Sequence, residues 1–245
     1  MTFRLSAFLL SLAAVPAFAQ TYDAALDFSP TVNAGTWTYG SKPGGLGAFT
    51  RFTDQNAGPA LTGAGSGGDL RGWNGNEAPV PSLGPSYPFV LKNVGTTTHV
   101  VSGNAGTPSG YTVPTGTLFL HAGPQGSATI RFTAPTAGRY AVAGSFLRIQ
   151  TSPTTFSQRV RIDSASANLY STVLSGNGDS GAFALPTVTL AGGETLDFSV
   201  VSDPEFNGGS MNLNATLAYS PVPEPATILG LSLGGLALLR HRRAA

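Results

Sequence analysis

Cysteine is absent from the 245 residues, so any chemistry must come from histidine, carboxylates, hydroxyls or aromatic faces. The histidines are His99, His121 and His241. No His-x-x-x-His or Glu-x-x-His spacing occurs, so the ligand pattern of a zinc site is missing. Asp23 with Asp27 and Asp203 with Glu205 form close acidic pairs. A glycosidase needs two carboxylates about 5–9.5 Å apart in a sugar-lined cleft, and acids in turn-rich segments are usually solvated instead. Asn177, Asp179, Asp203 and Glu205 offer oxygen ligands for calcium but follow no EF-hand spacing. Gly230-Leu231-Ser232-Leu233-Gly234 spells a nucleophile elbow. That elbow requires a strand-turn-helix context and a buried histidine partner, and here it sits in a purely apolar run. These residues predict no catalytic group, no metal and no cofactor.

Flat rings are the better functional hint. Trp37, Trp73, Tyr87 and Tyr111 lie in or beside Gly/Pro-rich segments. Exposed rings of this kind bind sugar faces by stacking, with Asn, Gln and Asp supplying hydrogen bonds. All four are candidate glycan-binding residues; the competing reading is that such rings simply fill a core.

The elements that must position these groups are short strands. Glycine counts 32, proline 18, and charged residues only 10%, a mixture that favours tight turns between strands. The 41% hydrophobic content argues against disorder. Period-two alternation marks Thr36–Gly40, Gly47–Thr53, Tyr87–Val94, Thr117–His121, Ser127–Thr133, Arg139–Ile149, Phe156–Asp163, Thr195–Val201 and Met211–Tyr219. In Arg139–Ile149 both faces are nearly apolar, which predicts a central strand. In Thr195–Val201, Leu196, Phe198 and Val200 face inward and Asp197 and Ser199 outward. Residues 54–86, richer in Gly and Pro, are expected to form long loops. The pattern predicts an all-β sandwich over residues 20–220, most simply a jelly roll.

The two ends read differently. Residues 1–19 form a signal peptide: Arg4 is the positive region, Leu5–Val15 the apolar run, and Ala17-Phe18-Ala19 the small-x-small site before Gln20. The expected partners at this end are the Sec translocon and signal peptidase. At residues 221–245, Val222-Pro223-Glu224-Pro225 precedes an uncharged run, Ala226–Leu239, and then Arg240, His241, Arg242 and Arg243. The run predicts a single C-terminal transmembrane helix, short for the ~30 Å hydrocarbon layer. The arginines would stay cytoplasmic and anchor it in the inner membrane. Arg4, Arg240, Arg242 and Arg243 inflate the formal charge of +1. Without them the chain is weakly acidic, which argues against nucleic acid as a partner.

Residues Val222 to Arg243 resemble the PEP-CTERM sorting tail, with motif, apolar helix and arginine cluster in order. The resemblance implies recognition by an exosortase, an integral-membrane cysteine protease of Gram-negative bacteria. It also implies removal of the tail and release to the envelope, cell surface or extracellular biofilm matrix. Leu120–Ala218 also resembles a jelly-roll module of exported bacterial proteins, through Leu120–Gly123, Arg131–Tyr140 and Ala191–Phe198. The expected function is that of an exported, non-enzymatic matrix or surface protein. The alternatives are a carbohydrate-binding module for exopolysaccharide and, last, a secreted hydrolase.

Overall fold

The computed structural model describes residues 20–56, 65–66, 68–77, 86–101, 110–150, 156–204 and 209–222. These form seventeen strands. In chain order they are β1 Gln20–Asp23, β2 Trp37–Ser41, β3 Thr50–Arg51, β4 Asp54–Asn56, β5 Gly65–Ser66 and β6 Leu70–Glu77. There follow β7 Tyr87–Asn93, β8 His99–Val101, β9 Tyr111–Val113, β10 Leu118–His121, β11 Ala128–Thr133 and β12 Gly138–Arg148. The last five are β13 Gln158–Ser164, β14 Asn168–Leu174, β15 Ser180–Leu190, β16 Thr195–Pro204 and β17 Met211–Ser220. Among the described residues no helix is long and apolar enough to cross a membrane.

Two antiparallel sheets pack face to face as a jelly-roll-like sandwich. The larger runs β15-β12-β17-β10-β7-β6-β4, with β1 added to β17; the other runs β14-β13-β16-β11-β2-β3. The alternation read from the sequence sets the core between them. Tyr140, Val142 and Phe146 of β12 and Leu213, Ala215 and Leu217 of β17 face Val160, Ile162, Ile130, Phe132, Phe198 and Val200 of the opposite sheet. Gly144 is required where β12 crosses β17, because a Cβ there would collide with the Asn214 carbonyl oxygen.

A second core lies on the other face of the larger sheet. Phe89 and Leu91 alternate with Val90 along β7, and Phe119 with Leu118 and Leu120 along β10, so one set of side chains fills each core. A small sheet, β5-β8-β9, contributes Tyr111 and Val113 to this second core. The region 54–86 differs from expectation. Instead of loops alone it supplies β4 and β6, and β6 pairs with β7 from Leu70↔Asn93 to Glu77↔Tyr87. Its glycines allow close packing: a side chain on Gly72 would meet the Val90 carbonyl and the Phe28 ring. Strands β14 and β15 were not anticipated either, and Gly47–Thr53 keeps only the two residues of β3.

Asp197 and Ser199 face away from the main core, as expected, yet both are buried. The segment following β2 folds back over this face. Lys42 Nζ lies 3.1 Å from Asp197 and 3.9 Å from Asp163, and the Phe49 ring sits 4.0 Å from the Arg131 guanidinium. Arg131 makes a two-pronged bond to Asp197, through Nε at 2.7 Å and Nη2 at 2.9 Å. Burial alone would raise the Asp163 pKa, but hydrogen bonds from Arg161 and Asn168 and the charges of Arg161 and Lys42 outweigh it and hold it below the ordinary range. Removing one member of such a buried set leaves facing carboxylates short of positive charge. Lys42→Met is therefore expected to lower stability by about 3 kcal/mol in urea unfolding. A loss under about 1 kcal/mol would show that Arg131 and Arg161 suffice without it.

Candidate functional site

The residues nearest to processing chemistry gather at one end of the sandwich. β1 runs antiparallel to β17, with Gln20 opposite Tyr219 and Asp23 opposite Thr216. The first residue after the expected signal cleavage thus lies beside the last strand before the tail. Gln20, Ser220, Pro221 and Val222 are all exposed. Ala17 and Ala19, and Pro223, Glu224, Pro225, Arg240, Arg242 and Arg243, lie outside the described residues, as do the expected signal peptide and transmembrane helix. Around this exit the turns are tied to one another. Ala134 N donates to the Glu194 carbonyl and Gly193 N to the Ala134 carbonyl, each at 2.8 Å, while the Tyr140 hydroxyl donates to Thr136 O at 2.7 Å. Gly193, at φ +86°, occupies the left-handed region that this turn needs.

The four candidate stacking rings are not on the surface. Trp37 is 4% exposed, Trp73 7%, Tyr87 6% and Tyr111 8%. Trp37 and Trp73 belong to the main core, Tyr87 and Tyr111 to the second one. Trp37 meets Phe132 edge-on at 5.2 Å. Trp73 donates its indole N–H to Ser29 O at 2.9 Å. These rings form no open platform for a sugar; beside Trp73, Gly72 and Gly75 let β6 pack closely on β7 rather than exposing a loop. Burial raises the tyrosine pKa values, to about 12 for Tyr87.

The candidate acids and histidines have structural partners. Asp23 accepts from Ala25 N at 2.8 Å and Leu26 N at 2.9 Å. Asp27 accepts from Asp23 N at 2.9 Å and from the Trp37 indole at 3.2 Å. Asp179 caps the β14–β15 turn, and the hydrogen bonds from Gly176 N and Ser175 N hold its pKa below the ordinary value. Asp203 falls within β16 rather than in a turn, and Glu205 lies outside the described residues. His121 packs on Tyr87 at 4.5 Å and Phe89 at 5.5 Å, and its Nδ1 lies 2.7 Å from the Ala122 carbonyl. Among the described residues no group of three His, Asp or Glu side chains could hold a metal ion.

Among the described residues, two clefts could hold a ligand. One, of about 370 Å³, opens beside the chain exit and is lined by Gln20, Tyr22, Asp27, Thr36 and Trp37 among others. The second, of about 180 Å³, is lined by Arg51, Asp54, Asn74, Asn76 and Glu77, with Phe52. Glu77 is engaged there with the backbone N–H of Gln125 and Gly126. Sequence reasoning missed both: the larger is lined wholly from within residues 20–39, where no motif marks a cleft, and the smaller draws on four separated segments that meet only in the fold.

Residues 221–243 match the family model described as the PEP-CTERM protein-sorting motif. The chain carries a PEP-CTERM sorting motif. It starts directly after β17 ends at Ser220. No curated protein matches the chain. Among solved structures, a family 35 carbohydrate binding module from Clostridium thermocellum aligns at 15% identity and TM-score 0.30, over 54% of this chain and 92% of that one. The Podospora anserina GH26-CBM35 beta-(1,4)-mannanase aligns at 15% identity and TM-score 0.31, over 56% of this chain and 29% of its own. Pika GITRL aligns at 15% identity and TM-score 0.28, over 39% and 79%.

Burial lowers the His121 pKa from 6.5 to about 4. The folded protein therefore keeps this ring neutral while the unfolded chain takes up a proton below pH 6.5. The stability that the neutral ring permits is intact above pH 6.5 and lost as pH falls toward 4, on the order of 3 kcal/mol in all. Asp163 and Asp179 are held below 3.8, so their contribution is lost only at lower pH. Thermal unfolding from pH 7 to 4 should show the decline, and His121→Gln should flatten it. An equal decline in the variant would assign it to other groups.

Proposed function

We propose that this chain is an exported envelope or extracellular-matrix protein, delivered through its sorting tail by an exosortase, with a non-enzymatic β-sandwich as its cargo. The observation that carries this reading is the position of the PEP-CTERM motif, which begins at residue 221, one residue beyond the last strand. Every residue of both described cores precedes it. A cut in the tail therefore removes no core contact, as a disposable sorting signal requires. Asp23 and Asp27 are spent on turn and indole hydrogen bonds, and His121 is buried among rings; both facts favour a body without catalysis.

Replacing Pro223, Glu224 and Pro225 together by alanine should block shortening of the exported chain and leave its unfolding midpoint unchanged. Proline disfavours helix and alanine favours it, so the replacement favours a helical backbone where a protease must grip an extended one. Mass spectrometry of membrane and extracellular fractions reads the result. Normal release of a shortened triple variant would sink the sorting role of the motif.

A second reading, carbohydrate binding, is favoured by one observation. The smaller cleft combines Arg51, Asp54, Asn74 and Asn76 with hydroxyls of Ser41, Thr50 and Thr53, a lining that can hydrogen-bond a hydroxyl-rich ring. At about 180 Å³ it lies below the ~300 Å³ of drug-sized pockets and suits a single sugar unit. Asn74→Ala with Asn76→Ala should reduce retention of the body on an exopolysaccharide gel several-fold, about 1 kcal/mol of hydrogen bonding. Unchanged retention would remove this cleft from consideration.

A further inference from the structure

The sandwich has two ends, and the described strands show that both chain exits lie at the same one. Gln20 opens β1 and Ser220 closes β17, and the two strands are antiparallel neighbours. Neighbouring strands lie about 5 Å apart, so the two segments outside the body leave from almost one point. Four further features share this end. The β11–β12 turn reaches it because Arg139 pairs with Ser220. The β15–β16 turn reaches it because Leu190 pairs with Gly138 and Thr195 with Thr133. The β13–β14 turn reaches it because Ser164 pairs with Leu196. The larger cleft, lined by Gln20 and Trp37, opens here too. The opposite end carries the β14–β15 turn at Ser175–Asp179, since Ser180 pairs with Leu147.

Chain length then fixes an orientation. Between Ser220 and the apolar run that begins at Ala226 stand residues 221–225. Five residues span at most about 18 Å when fully extended. β17 has ten residues, about 34 Å of strand, so the far end of the body lies almost twice as far from the exit as the tether can reach. On the front side the leash is shorter still: residues 16–19 separate the run Leu5–Val15 from Gln20, at most about 14 Å. A body held by either segment must turn the exit end to the bilayer and the Ser175–Asp179 end away from it.

We propose that the end formed by Gln20, Ser220 and the turns at 134–137, 165–167 and 191–194 is the face turned to the outer surface of the inner membrane while the tail is attached. The proposal rests on the sorting reading above, since it requires the tail to be the anchor. Its partner is the lipid surface. The face is suited to lie close to it: within two residues of these three turns the charged side chains are Arg139, Asp163 and Glu194. Asp163 is buried and paired with Arg161 at 2.7 Å, Glu194 Oε2 accepts from Ala191 N at 2.7 Å, and the 134–137 and 191–194 turns are tied by backbone hydrogen bonds. The larger cleft is screened from large solutes in the anchored form and opened on release.

The chain has no native cysteine, so single reporters are clean. Thr136→Cys reports the exit end and Asn177→Cys the far end; both positions are exposed. Each is placed in the full-length chain carrying the Pro223, Glu224 and Pro225 alanine replacements, in cells lacking the protease, and spheroplasts are treated with a bulky polyethylene-glycol maleimide. The expected result is that Asn177→Cys shifts on the gel while Thr136→Cys loses most of its label. In the detergent-free soluble body, residues 20–220, both should react equally. Membrane retention of the chain with Thr136→Cys labelled as fast as Asn177→Cys overturns the orientation and leaves the sorting reading standing. A chain that is soluble without being shortened overturns both. Protection that appears only when the protease is present also overturns it, because the shield is then that protein and not the lipid.

Discussion

Strand β17 is the member on which the larger sheet depends. It is paired along its whole length with β12, from Arg148↔Met211 to Arg139↔Ser220. Its other edge is shared end to end by β10, at Met211–Leu213, and β1, at Thr216–Tyr219. Little of it is left as an exposed edge, the feature that invites aggregation: between the two partners the Ala24 N–H donates to the Ala215 carbonyl. Its inward residues Met211, Leu213, Ala215 and Leu217 are all buried, so the strand fills the core and closes the sheet at once. It is also the last strand before the sorting motif. A sorting signal that began even three residues earlier would take Ala218 and Tyr219, and with them the partners of Thr21 and Gln20.

The second sheet solves a different problem. Its outer face carries Arg131, Arg161, Asp163, Asp197 and Ser199, polar groups that water could satisfy, and yet the segment after β2 covers them. The cover works because the charges are arranged in register: Arg131 stands directly opposite Asp197, and Asp197 directly opposite Asp163. Two adjacent carboxylates on neighbouring strands would repel; Arg131, Arg161 and Lys42 prevent this. Arg148 is the contrasting case. It is fully buried on the inward side of β12, and it donates through Nη1 to Ser175 O at 3.0 Å while Nε and Nη2 find no partner among the described residues. Burial pulls its pKa down and the nearby Asp179 pushes it up. One end of the core thus spends stability on a poorly matched charge, whereas the outer face of the other sheet matches its charges well.

Much of the sandwich was legible because alternation is a local property. Met211–Tyr219, Arg139–Ile149 and Thr195–Val201 appear in the structure within a few residues of their predicted limits. β14 and β15 were not legible: in Asn168–Leu174 only Leu174 is fully buried, and in Ser180–Leu190 the buried residues include Gly181. A glycine carries no hydropathy signal. The same blindness explains the aromatics. Trp73 was read as a loop ring because glycines flank it, but in β6 those glycines mark close approach to β7 and to Phe28. Tyr87 and Tyr111 were misread for another reason. The larger sheet carries a second core on its outer face, built from β6, β7, β9, β10 and Ile149, and no single stretch of sequence announces a second layer. The sorting motif over residues 221–243, by contrast, was legible, because such a motif is written in consecutive residues.

The position of β1 also constrains when the fold can close. Its four residues pair with a strand roughly 200 residues downstream, yet loop-closure cost grows only by about 0.6 kcal/mol per doubling of length, so the separation costs little in final stability. It matters for order. The hairpin of β13 with β14 is local, and β11 with β16 joins segments about a third as far apart as β1 and β17, whereas β1 has no partner until β17 exists, and contacts between distant segments form late. In a chain made from its N-terminus, β1 emerges earliest and waits longest. The C-terminal half of β17 keeps an open edge until β1 arrives, and β1 arrives at Thr216–Tyr219, immediately before the sorting motif. The last pairing of the sheet is therefore made next to the tail, so that a chain whose body has not closed presents its motif on a strand still missing a neighbour.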